Sequence, residues 1–382
     1  MTTPEVTHER RTTVSLAAKK RSGFAMIGAL AGMALLAGCS GAGNAPAANT
    51  ENSIISQEAC DRNSAEKITY ISGYGYSASA GQLDVFMAKE LGYFDELCLN
   101  VEINAAGGNG QQLVSSGKAH FTELGSAEDV LMAAANSQNL TAIATFGTTS
   151  PFCLFANKDI KDLKDLEGKQ LGYFINLTPV AVAMIDAAGA DIDKINLVKM
   201  TNYDPTVVLR SQPDAIVGYA SNQCETLRSM GEEFTEFTPA DFDLEGTYNV
   251  MEVNKEFYEK NPEVVADFMR ADLKALQYCL DNEEDCIERI AALAKEGGQG
   301  DAFPIEQLRR TWKVESQWVR DSTAGAPGVQ TVEQWQAASD IVKAYGNVKN
   351  IPDVTDIIDV DLVANLYDAN GNLIWPGEGD SK

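Results

Sequence analysis

Two tyrosines, Tyr74 and Tyr76, flank a glycine in the uncharged stretch 73–81, GYGYSASAG. Aromatic faces that also carry hydroxyls suit flat or cationic small molecules, which they can stack on and hydrogen-bond. Little else in the chain offers chemistry. Beyond residue 38 there is one histidine, His120, and no Gly-x-Ser-x-Gly, so acyl transfer has nothing to run on. No Cys-x-x-Cys or Cys/His metal spacing is present, and neither a metal nor a cofactor is expected. These residue types point to binding and not to an enzyme.

The flanking elements put this loop where a ligand would sit. Ile68, Tyr70 and Ile71 read as a strand bounded by Gly73, and Leu83, Phe86, Met87 and Leu91 form one apolar face of a helix that Gly92 stops. In an open α/β sheet, the loop leaving the carboxyl end of a strand faces the ligand. The alternation then continues. Residues 100–103 read as a strand, 106–110 as a glycine-rich turn, 111–116 as a helix, and 119–124 and 140–146 as strands. Ser126, with Asp129 three residues on, gives the pattern of a capping box. A second set begins near Phe152: a strand ending at Tyr173, a helix capped by Thr178-Pro179, and strands over 195–200 and 214–219. After an extended segment from Tyr248, helices dominate over 262–280, 286–295, 304–319 and 332–345. Two sets of alternating units in 382 residues predict two α/β lobes.

The N-terminus reads as an address. Basic residues between Arg10 and Arg21 precede the uncharged run 23–38, too short to span a bilayer comfortably. Residues 40–52 are small and polar, as a tether would be. The formal net charge is −25, and residues 1–38 hold five of the 30 basic and two of the 55 acidic residues, so the remainder carries −28. So acidic a body repels nucleic acid and anionic lipid. Six cysteines follow Cys39: Cys60, Cys98, Cys153, Cys224, Cys279 and Cys286. An even number in an exported chain suggests disulfides, with about fifteen pairings open. Cys279–Cys286 is favoured by proximity in sequence, and Cys60–Cys98 with Cys153–Cys224 follow if each lobe is stapled within itself.

Several stretches together resemble the solute-binding proteins of ABC importers, in the group that includes the thiamine-pyrimidine, nitrate, sulfonate and taurine binders. They are Leu91-Gly92-Tyr93-Phe94, the SGKAHF of residues 116–121, Gly125-Ser126-Ala127-Glu128, the IKDLKDLEGKQLG of 160–172 and the DAIVGYASN of 214–222. The segment Leu36-Ala37-Gly38-Cys39 resembles a bacterial lipobox, whose cysteine becomes the lipidated first residue. The resemblance spans 67–345 and implies a two-lobed type II periplasmic-binding fold with a ligand cleft between the lobes. The implied layout is a lipoprotein signal peptide (1–38), a flexible tether (39–65), the first part of lobe I (66–151), lobe II (152–247), a return to lobe I with C-terminal helices (248–350) and a tail (351–382). It further implies a monomeric lipoprotein held outside the cell membrane through Cys39, with membrane permease subunits as partners.

Ligand-facing positions expected from these motifs and strand ends are Tyr74, Tyr76, Ser126, Glu128, Tyr173, Tyr219, Asn222 and Glu225. The loops expected to face the cleft hold no Lys, Arg or His, but are rich in aromatics and include Glu128, Asp129, Asp204 and Glu225. Carboxylates accept hydrogen bonds from amino groups, so a neutral or amine-bearing heteroaromatic such as a pyrimidine vitamin precursor is favoured. Nitrate, sulfonate or taurine is the alternative, since helix N-termini hold anions without basic side chains. Gln223 stands where pyrimidine binders of this group commonly have glutamate. A pyrimidine-synthase-like enzyme or a sensory lipoprotein is the reading from another class; the lone Cys153 in SPFCLFANK departs from the cysteine-rich motif of such synthases.

Overall fold

Short β-rich runs separated by helices assemble into two five-stranded sheets, one per lobe. The computed structural model describes residues 53–377 except 106–107, 136–138, 175 and 202–203. The expected signal segment, Cys39, most of the expected tether and Tyr203 lie outside the described residues. Lobe I begins with α1 (Gln57–Ser64), β1 (Lys67–Ile71), α2 (Leu83–Glu90), α3 (Tyr93–Glu96) and β2 (Asn100–Asn104). It continues with α4 (Gly110–Ser115), β3 (Phe121–Leu124), α5 (Ala127–Ala134) and β4 (Leu140–Gly147). Lobe II holds β5 (Phe152–Asn157), β6 (Gln170–Tyr173), α6 (Pro179–Ala187), β7 (Asn196–Lys199), β8 (Ala215–Tyr219), α7 (Glu225–Ser229) and β9 (Phe234–Phe237). The chain returns through β10 (Tyr248–Asn254) to α8 (Lys255–Lys260), α9 (Pro262–Asp281) and α10 (Glu283–Glu296), then α11 (Ile305–Arg320), α12 (Val332–Tyr345) and α13 (Asp361–Ala364).

The first sheet runs β2-β1-β3-β10-β4, with β1 parallel to β2 and β3, and β10 antiparallel to both its neighbours. The second runs β7-β6-β8-β5-β9, with β6 parallel to β7 and β8, and β5 antiparallel to β8 and β9. Two segments therefore cross between the lobes, after β4 and before β10. They touch: a Cβ on Gly246 would meet Ser150 at 2.4 Å from its Cβ and 2.7 Å from its backbone nitrogen, so only glycine lets the two backbones lie together.

The expected tether ends earlier than residue 65. Ser56 caps α1 by accepting from the Ala59 N–H, and Ile55, Ala59 and Cys60 are buried in the core of lobe I. The physical reason is that α1 covers part of the lobe I core and is stapled there by Cys60–Cys98. Cys153–Cys224 joins β5 to the segment after β8, and Cys279–Cys286 joins α9 to α10. Phe268 of α9 stacks on Phe121 at 3.9 Å and on Phe94 at 5.2 Å, which ties the returning helices to the first sheet. Among the described residues, no helix is long and apolar enough to cross a membrane.

Candidate functional site

The lobes meet where β1, β3 and β8 end. Tyr219 closes β8 in lobe II, and Gly125 follows β3 in lobe I. The Tyr219 hydroxyl lies 2.0 Å from where a Cβ on Gly125 would stand, and Asp129 Oδ2 lies 3.4 Å from the same point. Tyr74, from the loop after β1, accepts hydrogen bonds from the Tyr219 hydroxyl and the Gly125 N–H. Although Tyr74 leaves 46% of its surface exposed, its hydroxyl is enclosed at this junction, and desolvation with the nearby Asp129 raises its pKa. Desolvation raises Tyr219 as well, so both rings remain phenols at neutral pH.

Ser126 caps α5, its hydroxyl accepting from the Asp129 N–H at 3.3 Å and donating to Asp129 Oδ2 at 3.2 Å. Burial pushes Asp129 up to about 6 and Glu128 to about 7. Beneath the loop, Glu123 of β3 accepts from the Gly73 N–H at 2.7 Å and pairs closely with the Tyr70 hydroxyl. Tyr70 also donates to the Gly81 carbonyl at 2.6 Å. One phenol proton cannot serve both acceptors. Burial raises Glu123 to about 8, so its protonated carboxyl can donate to Tyr70, which then donates to Gly81.

A second contact across the lobes comes from α11. Glu315, 3% exposed, accepts from Ser221 Oγ of lobe II at 2.5 Å and from the Tyr248 hydroxyl at the start of β10. Tyr248 in turn accepts from the Ala80 N–H at 3.1 Å, so α11 is joined both to lobe II and to the loop after β1. Burial raises Glu315 to about 7. Its position was detectable in the sequence: Leu308, Thr311, Trp312, Glu315 and Val319 follow helical spacing, and all are buried.

Of the expected ligand-facing residues, Tyr74, Tyr219 and Ser126 come together at the junction. Tyr76 instead turns into lobe I, its ring 5.1 Å from Phe86 and 6.2 Å from Phe303. The reason is Gly75, at φ +69° and closely packed on Phe303, which sends the two tyrosines different ways. Asn222 is exposed, its side-chain oxygen accepting from Gln307 at 3.1 Å, and Glu225 pairs with Arg228 at 3.0 Å. Both are drawn to partners outside the junction. Tyr173 is half-buried at the end of β6, and Glu128 is buried with neither carboxyl oxygen hydrogen-bonded. Asp129, rather than Glu128, is the carboxylate that meets Tyr74 and Tyr219.

Two sheets joined by paired crossings, with a polar junction at their carboxyl ends, define a two-lobed protein of the periplasmic-binding fold. The chain belongs to the NMT1/THI5-like family, which matches residues 81–286. It is 25% identical over 263 residues to the formylaminopyrimidine-binding protein of Halalkalibacterium halodurans, covering 66% of this chain and 78% of that one. It is also 25% identical over 241 residues to the riboflavin-binding protein RibY of Chloroflexus aurantiacus, covering 61% and 66%. The periplasmic aliphatic sulphonate binding protein SsuA of Escherichia coli has the same fold, with a TM-score of 0.58 at 13% identity, covering 77% of this chain and 92% of that one.

Proposed function

We propose that this chain is the extracytoplasmic solute-binding lipoprotein of an ABC importer, anchored through Cys39 and working as a monomer with membrane permease subunits. Its ligand is a small, flat, amine-bearing heteroaromatic of the pyrimidine type, which it binds and releases unchanged. The observation that carries this reading is the junction itself: Tyr219 from one lobe meets Tyr74 and Gly125 from the other, beside Asp129. Aromatic hydroxyls and a carboxylate favour ring faces and N–H donors. A sulfonate there would face Asp129, on which no basic side chain acts among the described residues. Both curated relatives are named for nitrogen-containing flat rings, in keeping with this choice. Three disulfides suit an oxidising compartment outside the cytoplasm.

The test is a ligand panel on the purified protein, comparing aminopyrimidines, riboflavin and taurine by melting temperature and calorimetry, with the bound compound recovered and identified. A ligand at a hundredfold excess over its dissociation constant adds about 2.7 kcal/mol. Stabilisation by an aminopyrimidine recovered intact is the expected result. Stabilisation by taurine alone overturns the ligand class, and recovery of a transformed compound overturns the binding role.

A further inference from the structure

Carboxyl groups crowd the lobe I side of the junction, and among the described residues no basic side chain acts on them. Glu128, 1% exposed, has both oxygens unpartnered. The groups acting on Glu128, Asp129 and Glu252 are hydroxyls, amides and one another's carboxyls, with no basic side chain among them. Buried carboxyls lacking donors are costly, and such deficits collect where a ligand supplies what is missing. Asp129 is the member of the group that reaches the meeting point of the lobes. Its Oδ2 lies 3.4 Å from where a Cβ on Gly125 would stand, the point the Tyr219 hydroxyl also approaches, and it acts electrostatically on both Tyr74 and Tyr219. Its carboxyl takes one hydrogen bond from the Ser126 hydroxyl, which leaves most of its acceptor capacity free among the described residues.

We infer that Asp129 is the specificity-determining residue, taking the edge of a nitrogen heteroaromatic that presents an exocyclic amino group beside a ring nitrogen, in two parallel hydrogen bonds. This rests on the solute-binding reading above. The edge fits the carboxyl in either protonation state. A carboxylate accepts from the amino group and from a protonated ring nitrogen; a carboxylic acid donates to a neutral ring nitrogen and accepts from the amino group. Burial brings Asp129 up to about 6, which keeps both forms within reach near neutrality. A ring with a carbonyl in place of the amino group turns a lone pair toward the carboxylate and is disfavoured above about pH 6, where that form prevails; below it the acid can donate to the carbonyl and the preference fades.

The experiment measures, by calorimetry, the affinities of a 4-aminopyrimidine and the matching 4-oxopyrimidine for the native protein, Asp129→Asn and Asp129→Glu. The native protein is expected to prefer the amino compound by about tenfold or more, the size of one good hydrogen-bonded discrimination. Asp129→Asn, which can donate to a carbonyl, removes or reverses that preference. A structural role for the residue would weaken both ligands equally. Asp129→Glu keeps the preference but binds more weakly, because the carboxyl is displaced by one carbon, and it provides the reading if the asparagine variant does not fold. A native protein that binds the amino compound, with preference and affinity unchanged in the variants, overturns the role of Asp129 alone. A native protein that binds neither pyrimidine overturns the heteroaromatic reading and this inference with it.

Discussion

The hydroxyl of Tyr219 occupies the space in which a side chain on Gly125 would begin, 2.0 Å from the Cβ position. The two residues come from different lobes, so glycine at 125 is what permits their approach. Gly125 is not among the positive-φ glycines, and alanine therefore fits its backbone and disturbs only this contact. Gly125→Ala is expected to lower ligand affinity by about tenfold or more while leaving the ligand-free melting temperature nearly unchanged. Adding Tyr219→Phe removes the obstructing oxygen and is expected to recover part of the loss. Calorimetry on the three proteins checks this, and full affinity in Gly125→Ala would show that the lobes need not meet here to hold ligand.

The bond from Ser221 to Glu315 is a buried tie between lobe II and α11, beside the exposed bond from Gln307 to Asn222. Ser221→Ala removes the lobe II partner and leaves the Tyr248 contact with Glu315 in place. A buried hydrogen bond contributes about 1 kcal/mol net, so binding should weaken roughly fivefold, with a small fall in melting temperature. If affinity holds while stability drops, this tie serves the fold and not closure.

The buried carboxyls set a pH dependence of stability. Burial raises Glu123 to about 8, and Glu252 and Glu315 to about 7. Unfolded glutamates titrate at about 4.3, so between that pH and the raised values the folded protein holds protons that the unfolded chain has lost. Stability is therefore greatest toward the acid side of that window and falls as pH rises through 7 to 8. Melting temperature is expected to be higher at pH 5 than at pH 8. Glu123→Gln, which can donate to Tyr70 and accept from Gly73 as the protonated acid does, should flatten the curve. A melting temperature that climbs between pH 5 and 8 would contradict this account.

The proposed lipid anchor at Cys39 lies outside the described residues, and its test needs only cell fractionation. Cys39→Ala should move the protein from the membrane to a soluble or secreted fraction with ligand binding intact. Retention of the variant through a carbonate wash would make the apolar run 23–38 the anchor instead.

What the sequence made legible was local. The Thr178-Pro179 start of α6 and the Ser126 cap depend on neighbours within four residues, and both stand in the structure, whereas α2 is buried over six consecutive residues from Leu83 to Ala88 and not along one apolar face. Helix α1 was hidden in a stretch that reads as polar, because its burial comes from partners such as Cys98, 38 residues away. The pairing of Tyr74 rather than Tyr76 with the opposite lobe turns on one glycine's φ, which composition does not reveal. Glu315 is not singled out in the sequence, since it stands in a helix rich in charges. Only its phase with Leu308 and Trp312 set it inward.

The contact of Gly246 with Ser150 bears on how the molecule deforms. Two connecting segments packed side by side at one point bend most easily together, because bending about separate axes would open that contact. Rotation about a common line is left as the easy motion, and sliding or independent twisting of the lobes is stiff by comparison. The shape then reduces in effect to a single coordinate, an angle. On the proposed function, a membrane partner would learn whether the cleft is filled by gauging that one angle, without touching the contents.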